Sequence, residues 1–113
     1  MKLVTWNVNS LKIRLPQVIN WLKNNEPDVL CLQETKLQDE RFPVDEILAV
    51  GYRSAYVGQK TYNGVALLSK RIGDTVVTAM PGLEDVQKRV IAATYEDTRV
   101  VCIYVPNGEN VIS

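Results

Sequence analysis

The spacing of apolar and polar residues changes period several times along the chain. KLVTW at 2–6 suits a β-strand, and a turn follows at Asn7 to Ser10. Leu15, Val18, Ile19 and Leu22 then fall at i, i+3, i+4 and i+7, one face of a helix. Pro16 would sit in that helix's first turn, where a missing N–H costs little. The helix should end near Asn24 or Asn25, before Pro27. A second strand covers 28–33, and Val29 to Gln33 within it read as buried on both faces. Strand, helix and strand with short links make a βαβ unit, so the two strands should run parallel with a right-handed crossover.

Beyond Glu34 a polar link leads to a short helix around Val44–Val50, stopped by Gly51. Tyr52–Val57 and Val65–Ser69 read as strands joined by 58-GQKTYNG-64, in which Asn63-Gly64 is a turn signal. Three further strands are expected near Thr75–Ala79, Val90–Tyr95 and Val100–Val105, with turns at Pro81-Gly82 and Glu96-Asp97. No internal repeat or low-complexity linker interrupts the pattern. The class is α/β, with a mixed sheet that is parallel at its start and mostly antiparallel afterwards.

Composition narrows this picture. A chain of 113 residues, 46% hydrophobic and 23% charged, suits one globular domain. No apolar run approaches the roughly 18–20 residues that span a bilayer, so no membrane partner is expected. The N-terminus lacks a signal peptide's apolar region, which makes the cytoplasm the expected location. The net charge is zero, which excludes a globally basic DNA-coating protein but not a local phosphate-binding patch. Cys31 and Cys102 both lie in apolar strand patterns and read as buried, reduced thiols. With no histidine in the chain, a His base, a His-containing triad and a His-ligated zinc are excluded within it.

The chemistry should sit at one sheet edge. The C-terminal ends of parallel strands share an edge where ligands bind. Asn7 ends the first strand and Glu34 the second, so an amide and a carboxylate should meet there. Such a carboxylate can hold a hard cation such as Mg²⁺, with waters and phosphate oxygens completing the shell. Lys36 could orient it or meet an anionic substrate. On spacing alone, a solvated Glu–Lys pair on a loop is the plainer reading. Taken singly, Tyr104 reads as strand packing, Asn107-Gly108 as a turn, and Lys88-Arg89 as a solvated strand edge. Gln59, Lys60 and Tyr62 read as a polar hairpin loop.

Five segments together change the weighting. TWNVNSLK, LQETK after a buried strand, GQKTYNGVALLSK, KRVIAATYE and YVPNGE resemble, in order and spacing, the exodeoxyribonuclease III branch of the endonuclease/exonuclease/phosphatase superfamily. The resemblance runs from residue 1 to about 109. It implies a DNase I-like four-layer α/β sandwich, a mixed sheet flanked by helices. It also implies an enzyme dependent on Mg²⁺, with Mn²⁺ as the alternative, that cuts duplex DNA 5′ to abasic sites and removes nucleotides from 3′ ends. By motif position Glu34 would be a metal ligand. Asn7 would hold that carboxylate and the metal-bound phosphate, with Asn9 in the same cluster and Lys36 beside Glu34. Tyr104 would place its hydroxyl on the scissile phosphate. Lys60, Arg89 and Asn107 would contact DNA phosphates, and Tyr62 would press on the backbone near the lesion.

The chain also departs from that pattern. Family members are roughly twice as long, and their second halves carry a GDxN motif, a later Asp and a terminal SDH. Residues 1–113 would then be the N-terminal part of one such domain, with its C-terminal half absent and no complete catalytic set. Because the family packs two sheets face to face, a chain supplying mostly one of them should expose a broad apolar face. The missing half or a second copy would be the partner to cover it. Two alternatives remain at this stage: another phosphodiesterase or phosphatase of the superfamily, and a non-catalytic binding or assembly fragment.

Overall fold

The computed structural model describes residues 1–58, 63–78 and 90–104. In chain order the elements are β1 (Leu3–Asn7), α1 (Leu11–Asn25), β2 (Val29–Gln33), a 3₁₀ turn (Asp39–Arg41), α2 (Val44–Leu48), β3 (Arg53–Val57), β4 (Val65–Ser69), β5 (Asp74–Val77), β6 (Val90–Tyr95) and β7 (Thr98–Ile103). They build two sheets, ordered β1-β2-β4-β3 and β5-β6-β7. β1 and β2 are parallel, with Asn7 opposite Gln33, and β4 runs antiparallel to both β2 and β3. This is the expected βαβ start followed by antiparallel strands.

Two cores explain the continuous apolar runs of β2 and β4. Leu30, Leu32, Ala66 and Leu68 face α1 and α2, where they meet Leu11, Val18, Leu22 and Ile47. Their neighbours Val29, Cys31, Val65 and Leu67 face the second sheet and meet Ile91, Ala93, Tyr95, Val100 and Cys102. A strand sandwiched between a helix layer and a sheet has no polar face, so the alternation that marks a half-buried strand is missing. Each fully buried leucine contributes about 1.5–3 kcal/mol. β7 does alternate, with Val100 and Cys102 buried and Arg99, Val101 and Ile103 exposed.

Some expectations need correction. α1 begins at Leu11, one turn earlier than the Leu15–Leu22 stripe suggests, so Pro16 lies in the second turn and not the first. The helix closes through Glu26, in a left-handed conformation, whose N–H donates to the Leu22 carbonyl. The expectation that the chain supplies mostly one sheet also fails. β6 and β7 cross the inner face of the first sheet and bury it. On the described strands, large apolar side chains are exposed at Leu3, Val76, Val101 and Ile103. The Glu96-Asp97 turn is tight, pairing Tyr95 with Thr98, so β7 starts two residues earlier than expected. Val105, the Pro81-Gly82 turn and residues 59–62 of the hairpin loop lie outside the described residues. Among the described residues no helix is long and apolar enough to cross a membrane.

Candidate active site

Parallel pairing carries β1 and β2 out of the sheet at the same edge, and the chain there is tied together through its backbone. The N–H groups of Val8, Ser10 and Leu11 donate to the carbonyls of Gln33, Glu34 and Thr35 at 3.0, 2.8 and 3.0 Å. From the other side, Thr35 and Lys36 donate to the carbonyls of Gly64 and Asn63 at 3.2 and 2.8 Å. Three loops therefore share one hydrogen-bonded layer. It contains a concentration of left-handed residues: Asn9, Ser10, Glu34, Lys36 and Asn63 have φ of 46°, 93°, 55°, 56° and 62°. Each such residue other than glycine costs about 1–3 kcal/mol unless its surroundings impose it, and strain of this kind clusters at functional sites.

The left-handed turns point four polar side chains at one another. Asn7 Nδ2 donates to Glu34 Oε1 at 2.9 Å. The Lys36 ammonium stands 3.6 Å from Glu34 Oε2 and donates to Asn9 Oδ1 at 2.7 Å. The Asn9 N–H donates to Asn7 Oδ1 at 3.0 Å, which closes the ring. The side chains of Glu34 and Lys36 are 21% and 29% exposed. The carboxylate is thus oriented from both oxygens while remaining open to a ligand. As a partly exposed ion pair at 3.6 Å it contributes little to stability, which leaves orientation as its main consequence.

The residues beneath join this edge to the second sheet. Gln33 Nε2 donates to Thr5 Oγ1 at 2.6 Å and to the Cys102 sulfur at 3.5 Å. Cys102 thereby brings the end of β7 to the edge that carries Asn7 and Glu34. Tyr104 follows β7 directly, is half-buried, and packs against the inter-sheet core. Cys31 and Cys102 are buried free thiols, as expected. Their mutual hydrogen bond lowers the Cys31 thiol; that bond and burial push the Cys102 thiol well up.

The sequence-based set divides cleanly. Asn7, Asn9, Glu34 and Lys36 meet in one ring, with Tyr104 following the strand that reaches the same edge. Lys60, Tyr62, Arg89 and Asn107 lie outside the described residues. Sequence reasoning missed Gln33 as the link between sheets, for which the only signal is a polar residue ending an apolar strand. Among the described residues no group of three or more His, Cys, Asp or Glu side chains converges. The donors here are one oriented carboxylate and the Asn7 amide oxygen, with an ammonium already drawn to the carboxylate. Such a set fits a hard cation that takes one or two protein ligands and completes its shell with water and phosphate.

Comparison with known proteins identifies the family and the fold. The Endonuclease/Exonuclease/phosphatase family matches residues 4–111. Exodeoxyribonuclease III of Haemophilus influenzae is 37% identical over 97% of the chain and 43% of its own length. Two solved structures superpose over the whole chain with TM-scores of 0.92: the 3′ phosphatase NExo from Neisseria bound to a product DNA hairpin, 49% identical, and an AP endonuclease from Archaeoglobus fulgidus, 38% identical. The chain spans 44% of each of those two. A family match over nearly all its length, joined to this fold, shows that the chain belongs to the endonuclease/exonuclease/phosphatase family.

Proposed function

We propose that this chain is the N-terminal part of a DNA-repair nuclease of the exodeoxyribonuclease III type. The activity is hydrolysis of phosphodiester bonds in duplex DNA, 5′ to abasic sites and at 3′ ends. The observation that carries this reading is the Asn7–Glu34–Lys36–Asn9 ring at the common edge of β1 and β2. The relatives' names supply the substrate class.

Glu34 and Asn7 would hold Mg²⁺, or Mn²⁺ in its place. When bound, the ion neutralises charge on the phosphate under attack. Asn7 keeps Glu34 Oε1 in one direction, so the carboxylate requires no reorganisation when the ion arrives. Lys36, bridging Glu34 and Asn9, leaves a positive charge at the site for a neighbouring phosphate oxygen. Tyr104 would donate its hydroxyl to the scissile phosphate from the end of β7. Lys60, Arg89 and Asn107 would contact flanking phosphates, and Tyr62 the backbone at the lesion. Flipping an abasic nucleotide breaks no base pair, which favours lesions over intact DNA.

No second carboxylate joins Glu34 in the described residues, and the chain spans under half of its relatives. A group that activates the attacking water is accordingly expected from outside the described residues. The test is an incision assay on a duplex with one abasic site, with and without Mg²⁺, alongside duplex binding by fluorescence anisotropy. The expected result is no incision, together with Mg²⁺-dependent binding that Glu34→Ala removes. Mg²⁺-dependent incision abolished by Glu34→Ala would overturn the incomplete-site reading. Binding indifferent to both Mg²⁺ and Glu34→Ala would overturn the role of Glu34.

A further inference from the structure

Cys31 and Cys102 are the chain's two cysteines, and the proposed chemistry uses neither. Cys31 sits in the middle of β2, opposite Thr5 on β1 and Leu67 on β4. Cys102 sits on β7, opposite Ile91 on β6. The two strands belong to different sheets, yet both side chains point into the core between them, where the thiols hydrogen-bond to each other. Cys102 Sγ also donates to the carbonyl of Leu32, the residue after Cys31, at 3.5 Å. The two thiols differ in access: Cys31 is 8% exposed and Cys102 1%. Thr5, which shares a sheet face with Cys31 across the β1–β2 ladder, is exposed. They differ in acidity as well. The bond from Cys102 lowers the Cys31 thiol, while that bond and burial raise Cys102. One thiol is therefore easier to reach and to ionise, and the other stands in contact with it.

We infer that Cys31 and Cys102 form a reversible disulfide across the two sheets, with a peroxide as the oxidant. Oxidation proceeds in two stages. The Cys31 thiolate takes one peroxide oxygen and becomes a sulfenic acid; the hydroxide released takes up the proton that Cys31 gave and leaves as water. The Cys102 sulfur then attacks the Cys31 sulfur. The S–O bond breaks, the S–S bond forms, and the hydroxyl departs with the Cys102 proton as a second water. The peroxide is reduced and two thiols are oxidised; a dithiol reverses the bridge by exchange. The change reaches the candidate site through Gln33, which precedes Glu34 and donates to Cys102 Sγ at 3.5 Å and to Thr5 Oγ1 at 2.6 Å. A bridged Cys102 has no proton for the Leu32 carbonyl, and its sulfur is drawn toward Cys31, which leaves Gln33 with Thr5 alone of these two partners. Oxidation thus staples the sheets together and alters the support directly beneath Glu34. The inference stands apart from the nuclease reading, since it uses only the inter-sheet core.

The reduced chain is treated with hydrogen peroxide, both folded and in urea, and followed by intact mass, peptide mapping and a non-reducing gel. The folded wild type should lose two hydrogens as a monomer, yield a peptide pair joining Cys31 to Cys102, and revert with dithiothreitol. Cys102→Ala should stop at a sulfenic acid on Cys31 that dimedone traps, and Cys31→Ala should leave Cys102 unmodified. Circular dichroism checks both variants, and the wild-type result alone decides the bridge if either fails to fold. The disulfide should raise the urea midpoint by about 1–2 M, because it closes a long loop. The Gln33 side-chain amide signals should shift on oxidation when followed by NMR. A folded wild type that keeps both thiols, links them only in urea, or forms covalent dimers overturns the inference. So does a bridge that lowers the urea midpoint, since the native sheets would then not hold the two sulfurs in bonding geometry. Gln33 signals that stay in place would overturn the link to Glu34.

Discussion

Gly64 has φ of +94°, and a Cβ there would lie 2.2 Å from the Thr35 hydroxyl oxygen and 3.3 Å from the Lys36 nitrogen. Thr35 is buried and is held by the Gly64 carbonyl, so it has nowhere to withdraw. Gly51 has nearly the same φ, +90°, with nothing within 4 Å of the corresponding position. The pair separates conformation from crowding. Gly51→Ala should cost about 1 kcal/mol, the left-handed penalty alone. Gly64→Ala should cost about 3 kcal/mol, because the loops at Thr35 and Lys36 must also move. Urea denaturation of the two variants measures the difference, and equal losses would show that the contact with Thr35 is not constraining. The wider point concerns Asn9, Ser10, Glu34 and Lys36. None advertises a left-handed backbone as a glycine would, so their convergence was not legible from residue type. That Asn7 and Glu34 share an edge was legible, because parallel strands leave a sheet on the same side.

In α1 the informative residue is Pro16. Placed in the second turn, it removes the N–H that would donate to the Lys12 carbonyl. The helix holds despite this because Leu11, Val18 and Leu22 are fully buried against β2 and β4, with Leu15 and Ile19 packed at the margin. Pro16→Ala should raise stability by about 1–2 kcal/mol: the restored hydrogen bond and removed ring clash outweigh the greater freedom of the unfolded chain. A thermal midpoint that falls in this variant would mean that the proline's restriction of the unfolded state dominates. The sequence placed this helix correctly by its stripe and misjudged its start. Leu11 extends the stripe one turn upstream, yet in sequence it adjoins the polar Asn9-Ser10 pair, which reads as a turn. Only the bond from the Leu11 N–H to the Thr35 carbonyl reveals the first turn as anchored.

The molecule as a whole is a helix layer on a four-stranded sheet on a three-stranded sheet, and adjacent residues of β4 report on its two interfaces. Leu67 is fully buried between the sheets, and Leu68 is fully buried under the helices. Leu67→Ala and Leu68→Ala should each cost about 3 kcal/mol. If the layers fold as one unit, both variants should shift the same single transition when near-ultraviolet and far-ultraviolet circular dichroism are compared. A Leu67→Ala variant that loses only the near-ultraviolet signal at low urea would show the second sheet detaching by itself. Among the described residues, β1 and β7 are edge strands of their sheets.

From the sequence alone came the strand–helix–strand start, the order of the later strands, the burial of both cysteines, and the meeting of Asn7 with Glu34. These follow from local periodicity and from the fixed handedness of a βαβ crossover, which need only neighbours in the chain. Which strands form which sheet was a tertiary decision. A run such as VALLS is apolar throughout and does not say which layer each face will meet. The backbone turns that aim Lys36 at Glu34 were also decided there. They depend on residues far apart in sequence closing hydrogen bonds that none of them specifies locally.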